Sequence, residues 1–199
     1  MTKIKLCGLS RVADIEVANI LQPEFVGFIF YEKSKRYISP AQAATFKNIL
    51  DKKISAVGVF VDEKISAVAE IAKFLDLIQL HGDEDENYIS ELKKITAKKI
   101  IKAFKIKTAE DLQRAKNSRA DFILLDSGAG TGETFNWQLL KNFEREYFLA
   151  GGLTVENVSA AVKILKPFAV DVSSGIETGG LKDAAKMKNF VQIVRSSIQ

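Results

Sequence analysis

Short apolar runs rich in β-branched residues alternate with amphipathic stretches along the whole chain. Strand-like runs that alternate with helical patterns are typical of parallel βαβ units. The pattern predicts eight strands, at residues 4–7, 26–30, 56–61, 77–81, 99–104, 122–126, 147–151 and 168–173. The helical patterns between them include residues 40–52, 63–74, 84–94, 109–116, 155–165 and 182–198.

Eight such units fit the 199 residues of the chain, so we predict a (β/α)8 TIM barrel near the lower size limit of that fold. A doubly wound open sheet is the main alternative. It usually has fewer strands, and no GxGxxG motif follows the first predicted strand. Because only three prolines occur and no Pro/Gly/Ser-rich linker divides the sequence, we expect one domain over residues 1–199.

Small or polar residues collect at the C-terminal ends of the predicted strands, whereas the N-terminal ends carry no matching set. In a (β/α)8 barrel these C-terminal ends form the mouth in which active sites are built. We therefore expect the active site there. The residues are Cys7-Gly8, His81-Gly82-Asp83, Asp126-Ser127-Gly128, Gly151-Gly152 and Ser173-Ser174-Gly175.

Residues two apart on a strand point to the same face of a sheet. On the first predicted strand, Lys5 and Cys7 alternate with the apolar residues Ile4 and Leu6. The apolar pair is expected to face the helices, so the polar pair is expected to point into the barrel. The same alternation directs polar groups inward from three other strands, namely Gln79 and His81, Asp126, and Asp171 and Ser173.

Cys7, the only cysteine of the chain, is a candidate general base or nucleophile at a strand end. The pKa of a free thiol is about 8.5, so a role as base requires nearby cations that lower this pKa. Lys5 and Arg36 are the candidates for those cations. The alternative is that Cys7 is a small buried hydrophobic residue, as single cysteines often are.

Asp126 ends the apolar run 122–125, where a carboxylate is costly unless it is solvated or paired. One interpretation is a general acid whose pKa is raised by its apolar surroundings. The alternative is a cap for the loop that begins at Ser127.

Two neighbouring loops carry a pattern that favours phosphate binding. Gly151 and Gly152 end the seventh predicted strand, and Ser173, Ser174 and Gly175 end the eighth. The loops after these two strands form the recurrent phosphate site of this barrel, because glycines let the backbone approach the anion and serine hydroxyls donate to it. Ordinary turn and capping chemistry is the alternative.

Three further signals near the mouth each have two interpretations. The glycine-rich segment 128–132 is either a loop that closes over substrate or cradles an anion, or a plain glycine loop. Arg36, in the charged segment 31–37, is either a bidentate clamp for a carboxylate or phosphate, or part of a solvated charge run. His81 either stacks or donates in the pocket, or is a satisfied strand-end histidine.

The composition favours a globular enzyme, with 47% hydrophobic and 27% charged residues. A net charge of +4 arises from lysines scattered among 25 acidic residues, which indicates a surface that attracts anionic substrates and binds no nucleic acid. One cysteine and one histidine argue against disulfides, metal sites and a Ser/His/Asp triad. No apolar run suits a membrane span or a leader, so we expect a cytoplasmic protein without membrane association.

Taken in order, the motifs resemble those of the phosphoribosylanthranilate isomerase family over essentially the whole chain. The motifs are KLCGL at residues 5–9, GFIFY at 27–31, SKRY at 34–37, VGVFVD at 57–62, QLHGD at 79–83, LLDS at 124–127, GTG at 130–132, FNW at 135–137, LAGGL at 149–153, DVSSGIE at 171–177 and KD at 182–183. The sequence departs from the family at Lys35, where proline is usual, at Glu133, where a basic residue is frequent, and at Asn136, where aspartate is frequent. None of these departures touches Cys7 or Asp126.

The resemblance implies an Amadori rearrangement of N-(5'-phosphoribosyl)anthranilate in tryptophan biosynthesis, with no cofactor and no metal. It implies that Asp126 is the general acid and Cys7 the general base. It further implies that Arg36, Gln79, His81 and Asp171 contact the substrate, and that Gly151, Gly152, Ser173, Ser174 and Gly175 hold its phosphate. We expect a monomer or a homodimer.

Two other sugar-phosphate barrels are rival interpretations, and only the acid and the base discriminate among them. Indoleglycerol-phosphate synthase relies on a catalytic lysine and glutamate, for which Lys102 on the fifth strand is a single candidate. The aminoaldose isomerase of histidine biosynthesis uses two aspartates, whereas the first strand here ends in Cys7. A barrel that binds a phosphoribosyl ligand or a partner protein without catalysis is the remaining alternative.

Overall fold

A computed structural model of the chain describes residues 1–126, 140 and 143–197. Eight parallel strands form a closed barrel in sequence order, and β1 completes it by pairing with both β2 and β8. This confirms the predicted (β/α)8 architecture. The strands are β1 (Lys3–Cys7), β2 (Phe25–Ile29), β3 (Ser55–Phe60), β4 (Leu77–Leu80), β5 (Lys99–Lys105), β6 (Phe122–Asp126), β7 (Tyr147–Ala150) and β8 (Ala169–Val172).

Seven α-helices lie within the described residues, and local capping explains where several begin. Ser39 accepts a hydrogen bond from the backbone N–H of Gln42 and caps α2, and Asp85 accepts from Tyr88 and caps α4. The helices are α1 (Val12–Leu21), α2 (Pro40–Ile49), α3 (Ile65–Ile71), α4 (Glu86–Ile95), α5 (Ala109–Asn117), α6 (Val158–Leu165) and α7 (Ala184–Ser196).

The predicted helices differ from the observed ones at one end or both, and in two of them the difference arises from a local turn. The predicted helix over 63–74 is α3 followed by a single 3-10 turn, Ala72–Phe74. The predicted helix over 155–165 begins three residues late, at Val158, because the side chain of Asn157 accepts from the backbone N–H of Thr154 and stabilises a turn there.

The side chains of the strands divide into two layers. Outward-facing residues such as Ile4 and Leu6 pack under the helices in the main core, whereas Lys5 and Cys7 point into the barrel, as the alternation predicted. The lower interior is filled by a second apolar cluster. Four aromatic rings lie at its centre, with centroids 5.3–5.9 Å apart: Phe25, Phe122, Phe148 and Phe168.

A short antiparallel hairpin follows β8 and was not predicted. It consists of β9 (Glu177–Thr178) and β10 (Leu181–Lys182), and its two-residue turn places Gly179 and Gly180 at φ values of 60° and 80°. Such turns require positive φ at both central residues, which glycine adopts without strain. The prediction that a helix begins at residue 182 is therefore wrong. Lys182 is in the hairpin, and α7 begins after Asp183, which accepts from the backbone N–H groups of Ala185 and Lys186.

The helices within the described part of the chain were compared with what a bilayer requires. None of them is both long enough and apolar enough to cross a membrane.

We call the lower interior, which the second apolar cluster fills, the barrel floor. Among single substitutions there, we expect those in the aromatic cluster to lower stability most. Phe148 is fully buried and contacts three other rings. We expect Phe148→Ala to lower the free energy of unfolding by about 3–5 kcal/mol, because it removes the ring and leaves a cavity. Urea unfolding measures this change.

Ile20→Ala is the matched control, because Ile20 on α1 is 80% exposed and an exposed apolar side chain contributes about 0.5 kcal/mol or less. A loss below about 1 kcal/mol for Phe148→Ala would contradict the packing described for the floor.

Candidate active site

A cavity of about 300 Å³ opens at the C-terminal ends of the barrel strands. Every residue that the sequence assigned to catalysis, substrate contact or phosphate binding lines this cavity except Gly175. Gly175 lies behind Ser174, against the backbone carbonyl of Leu153, where a side chain would clash. The lining residues are Cys7, Ile29, Arg36, Val59, Gln79, His81, Asp126, Ala150, Gly151, Gly152, Leu153, Asp171, Ser173 and Ser174.

The inward face of β1 brings a buried charge next to the thiol. Lys5 is fully buried, and its ammonium group donates to both carboxylate oxygens of Asp171 on β8, at 2.9 and 3.0 Å. Gly27, the β2 neighbour of Cys7, leaves the space for both groups. A Cβ at position 27 would lie 2.7 Å from the Cys7 sulfur and 3.2 Å from the Lys5 nitrogen.

Burial raises the pKa of the Cys7 thiol above its ordinary value, and the carboxylate of Asp171 acts in the same direction. Lys5 and Lys182 oppose this increase but do not overcome it. The neighbouring cations therefore lower the thiol pKa in the expected direction, but burial outweighs them and the net shift is upward. Lys5 is one of the two cations expected, Arg36 also interacts with the charge of Cys7, and Lys182 is a further cation that the sequence did not predict at this position.

A line of polar contacts joins β4 to β6 on the opposite wall. The Gln79 side-chain nitrogen lies 3.0 Å from His81 Nδ1, and His81 Nε2 lies 3.3 Å from a carboxylate oxygen of Asp126. If Gln79 donates, His81 carries its proton on Nε2 and presents it to Asp126. The Gln79 carbonyl oxygen is fully buried and lacks a hydrogen-bond partner among the described residues.

Arg36 reaches the cavity from the loop after β2 and is already engaged. Its Nε and one terminal nitrogen donate to the two carboxylate oxygens of Glu177, at 2.6 and 2.8 Å. Its aliphatic stem crosses the strand end so closely that a Cβ at Gly8 would lie 2.6 Å from Arg36 Cδ. The bidentate geometry expected for Arg36 is present, and its partner is a residue of this chain.

The loops after β7 and β8 form the remaining wall. Gly151 and Gly152 have φ values of 91° and 59°, a region that glycine adopts without strain. Ser173 donates its hydroxyl proton to the backbone carbonyl of Cys7, at 3.1 Å, while Ser174 is exposed.

Two buried charge pairs near the mouth went unnoticed in the sequence. Lys182 pairs with Glu177 at 2.6 Å, and Lys102 pairs with Glu84 at 2.7 Å. Lys102 lies between Ile101 and Ala103, which face the barrel interior, so its own side chain points outward to the helix layer. The position of Lys102 inside a predicted strand was the available signal, because an unpaired lysine is almost never buried. Lys182 gave no such signal, because it lies at the start of a predicted helix.

Some predicted features fall outside the described residues. The glycine-rich segment 128–132 is one of them, as are the family departures at Glu133 and Asn136. Lys35, the third departure, is exposed. Within residues 1–126, 140 and 143–197, no group of three or more histidine, cysteine or acidic side chains is arranged to hold a metal ion.

Comparison with known sequences identifies a family that spans nearly the whole chain. A family model described as N-(5'phosphoribosyl)anthranilate (PRA) isomerase matches residues 4–193. An N-(5'-phosphoribosyl)anthranilate isomerase from Thermoanaerobacter sp. (strain X514) is 47% identical over 204 residues, covering 98% of this chain and 98% of that protein.

Solved structures agree with the sequence match. A crystal structure of phosphoribosyl anthranilate isomerase in complex with reduced 1-(o-carboxyphenylamino)-1-deoxyribulose 5-phosphate has a TM-score of 0.89 and 36% identity, covering 98% of this chain and all of that one. A structure of monomers generated from the dimeric enzyme of Thermotoga maritima has a TM-score of 0.88 and 35% identity, with the same coverage. The chain therefore belongs to the N-(5'-phosphoribosyl)anthranilate isomerase family of enzymes.

Proposed function

We propose that this chain converts N-(5'-phosphoribosyl)anthranilate to 1-(2-carboxyphenylamino)-1-deoxy-D-ribulose 5-phosphate in tryptophan biosynthesis. The observation that carries the proposal is that Cys7 and Asp126 line one cavity together with the glycine and serine residues after β7 and β8. The cavity thus offers a base, an acid and an anion-binding wall to one small molecule. Residues 1–199 are proposed to act as one catalytic domain, and a cytoplasmic location stays a prediction.

The proposed reaction begins with proton donation by Asp126 to the furanose ring oxygen. As the C1–O bond breaks, the nitrogen lone pair forms a C1=N iminium. Cys7, as the thiolate, then removes the C2 proton, and the C–H electron pair forms the C1=C2 bond of an enolamine. The enolamine tautomerises to the ketose amine. Because the iminium acidifies the C2 proton, general acid–base catalysis suffices and no cofactor is required.

The anthranilate end of the substrate is proposed to lie between Arg36, Gln79 and His81. Glu177 occupies two of the five guanidinium donors of Arg36, which leaves donors for the anthranilate carboxylate. The buried carbonyl oxygen of Gln79 accepts no hydrogen bond from the residues that the structure describes, and a substrate N–H or O–H would remove the penalty of about 1–3 kcal/mol for leaving it unpaired. Asp171 is proposed to contact the sugar.

The phosphate is proposed to bind against Gly151, Gly152, Ser173, Ser174 and Gly175. Two glycines with positive φ permit close backbone approach, and the exposed Ser174 supplies a hydroxyl. The loops after strands seven and eight are the usual phosphate-binding loops of this barrel.

The rival interpretations have less support. A lysine-based mechanism of the indoleglycerol-phosphate synthase type needs a lysine in the mouth, and Lys102 instead pairs with Glu84 outside the barrel interior. A second aspartate at the end of β1 is absent, because Cys7 occupies that position. The remaining alternative is a barrel that binds a phosphoribosyl ligand or a partner protein without catalysis. A turnover measurement distinguishes it from an enzyme.

Turnover of freshly prepared N-(5'-phosphoribosyl)anthranilate tests the two catalytic roles. We expect wild-type protein to convert it equally fast with and without excess chelator. Positioned acid and base groups each contribute about 100–10,000-fold, so Cys7→Ala and Asp126→Asn are each expected to lower kcat by at least about 100-fold.

Fluorescence of the anthranilate group follows the reaction, and Ile20→Ala serves as the control for handling and folding. Absence of turnover by folded wild-type protein would contradict the substrate assignment. Turnover that survives in either variant would contradict the corresponding role.

The charges around Cys7 predict opposite pH shifts in two variants. Because burial raises the thiol pKa, the thiolate forms late on alkalinisation, and kcat/KM is expected to rise with pH from neutral into the alkaline range. Lys5 lowers the thiol pKa, so Lys5→Met is expected to move this rise to higher pH. Asp171 raises the thiol pKa, so Asp171→Asn is expected to move it to lower pH.

Profiles of kcat/KM against pH measure both shifts, and ultraviolet absorbance of the thiolate reports the same ionisation without substrate. Shifts of both variants in the same direction would rule out Cys7 as the group that titrates.

The oligomeric state is proposed to be a monomer or a homodimer, and the Thermotoga maritima relative is described in both forms. Sedimentation equilibrium is expected to give the mass of one or two chains of 22.0 kDa each. A larger particle would contradict this proposal.

A further inference from the structure

Glu177 is shared between two cations that come from different parts of the chain. Its carboxylate accepts two hydrogen bonds from Arg36, at 2.6 and 2.8 Å, and a third from Lys182, at 2.6 Å. Glu177 and Lys182 face each other across the hairpin, because β9 pairs with β10 at this position. The side chains of Lys182 and Glu177 are only 2% and 9% exposed, so this contact is largely removed from water.

Lys182 also contacts the proposed phosphate wall, which consists of Gly151, Gly152, Ser173, Ser174 and Gly175. Its ammonium group donates to the backbone carbonyl of Ser173 at 2.9 Å and to the Ser173 hydroxyl at 3.2 Å. The Ser173 hydroxyl in turn donates to the carbonyl of Cys7. A continuous series of contacts therefore runs from Arg36 through Glu177, Lys182 and Ser173 to the backbone of Cys7.

The backbone at Ser173 shows what this series holds in place. The Ser173 carbonyl accepts from the Lys182 ammonium group at 2.9 Å and from the backbone N–H of Ile176 at 3.4 Å. These contacts fix the direction of the Ser173 carbonyl and hence of the peptide that leads to Ser174.

We infer that Lys182 and Glu177 are positioning residues, which hold the phosphate-binding backbone at Ser173–Ser174 and the Arg36 guanidinium in one fixed arrangement. The inference rests on the proposed function, because it takes the phosphate to lie at Ser173–Ser174. Neither residue lines the cavity or is assigned contact with the substrate. Their role is to set the distance and direction of the groups that do contact it.

The charges of the series suit an anionic ligand. Arg36 and Lys182 carry two positive charges and Glu177 one negative charge, so the series keeps one net positive charge behind the wall. Burial lowers the pKa of Lys182, and the Glu177 carboxylate opposes that decrease. Removal of Lys182 would leave the Ser173 carbonyl with only the longer contact from the backbone N–H of Ile176, at 3.4 Å, and would bring the net charge of the series to zero.

The second buried lysine provides a matched comparison. Lys102 has the same kind of partners, because it donates to the backbone carbonyl of Gly82 at 2.7 Å and to the carboxylate of Glu84 at 2.7 Å. Its side chain is 6% exposed and serves the loop after β4, away from the proposed phosphate wall. Lys182→Met and Lys102→Met therefore remove equivalent structural contacts, but only the first acts on phosphate.

Direct titration of each purified variant with inorganic phosphate, followed by calorimetry or phosphorus NMR, tests the inference without relying on turnover. We expect Lys182→Met to raise the phosphate Kd at least tenfold. Lys102→Met is expected to leave this Kd within twofold of wild type while lowering the melting temperature by a similar amount. Lys182→Arg, which keeps a donor and the charge, is expected to restore most of the affinity.

Steady-state kinetics with the full substrate add a second measurement. We expect Glu177→Gln to raise KM more than it lowers kcat, because it releases Arg36 without touching Cys7 or Asp126. Glu177→Gln keeps the size of the side chain. It therefore tests the positioning role even if Lys182→Met does not fold.

Equal phosphate Kd values in Lys182→Met and wild type would overturn the inference, as would equal losses in Lys182→Met and Lys102→Met. A wild-type protein that binds phosphate but does not convert the substrate would contradict the proposed function and leave the positioning test intact. If wild-type protein binds no phosphate, the wall assignment and the inference both fail.

Discussion

The ammonium group of Lys5 and the carboxylate of Asp171 meet inside the barrel, where the first and last strands pair. A buried charge is costly unless a partner of opposite sign and good geometry accompanies it, so each of these groups requires the other. The contact lies across the β1–β8 seam that closes the barrel and adjoins Cys7. The same pair therefore links the two strands that close the barrel and contributes to the electrostatic environment of the proposed base.

Inside the barrel, the residues that stabilise the fold and the residues proposed to act in catalysis lie at opposite ends of the barrel axis. Aromatic rings fill the floor, and the residues proposed to take part in the chemistry line the cavity at the opposite end. Gly27 permits this arrangement next to β1, because any side chain there would collide with the Cys7 sulfur and crowd Lys5. A single missing side chain on β2 thus makes room for two polar groups of β1.

The periodicity of apolar residues in the sequence was sufficient to predict the strands and the direction in which their side chains point. The alternation of Lys5 and Cys7 with apolar residues predicted their inward orientation correctly, since β-strand geometry is local. The pairing of Arg36 with Glu177 was not predictable in this way, because 141 positions separate the two residues and only the closed barrel brings them together. Lys182 was placed in a helix because the residues after it have a helical pattern, and the hairpin that captures it depends on the Gly179–Gly180 turn.

The burial of the Cys7 sulfur also affects its reactivity toward oxidants. Oxidation to sulfenic acid and alkylation by electrophiles both proceed through an exposed thiolate. Cys7 is 6% exposed, and burial disfavours its ionised form. Burial therefore keeps more of the Cys7 sulfur in the thiol form at neutral pH, which slows its reaction with oxidants and electrophiles.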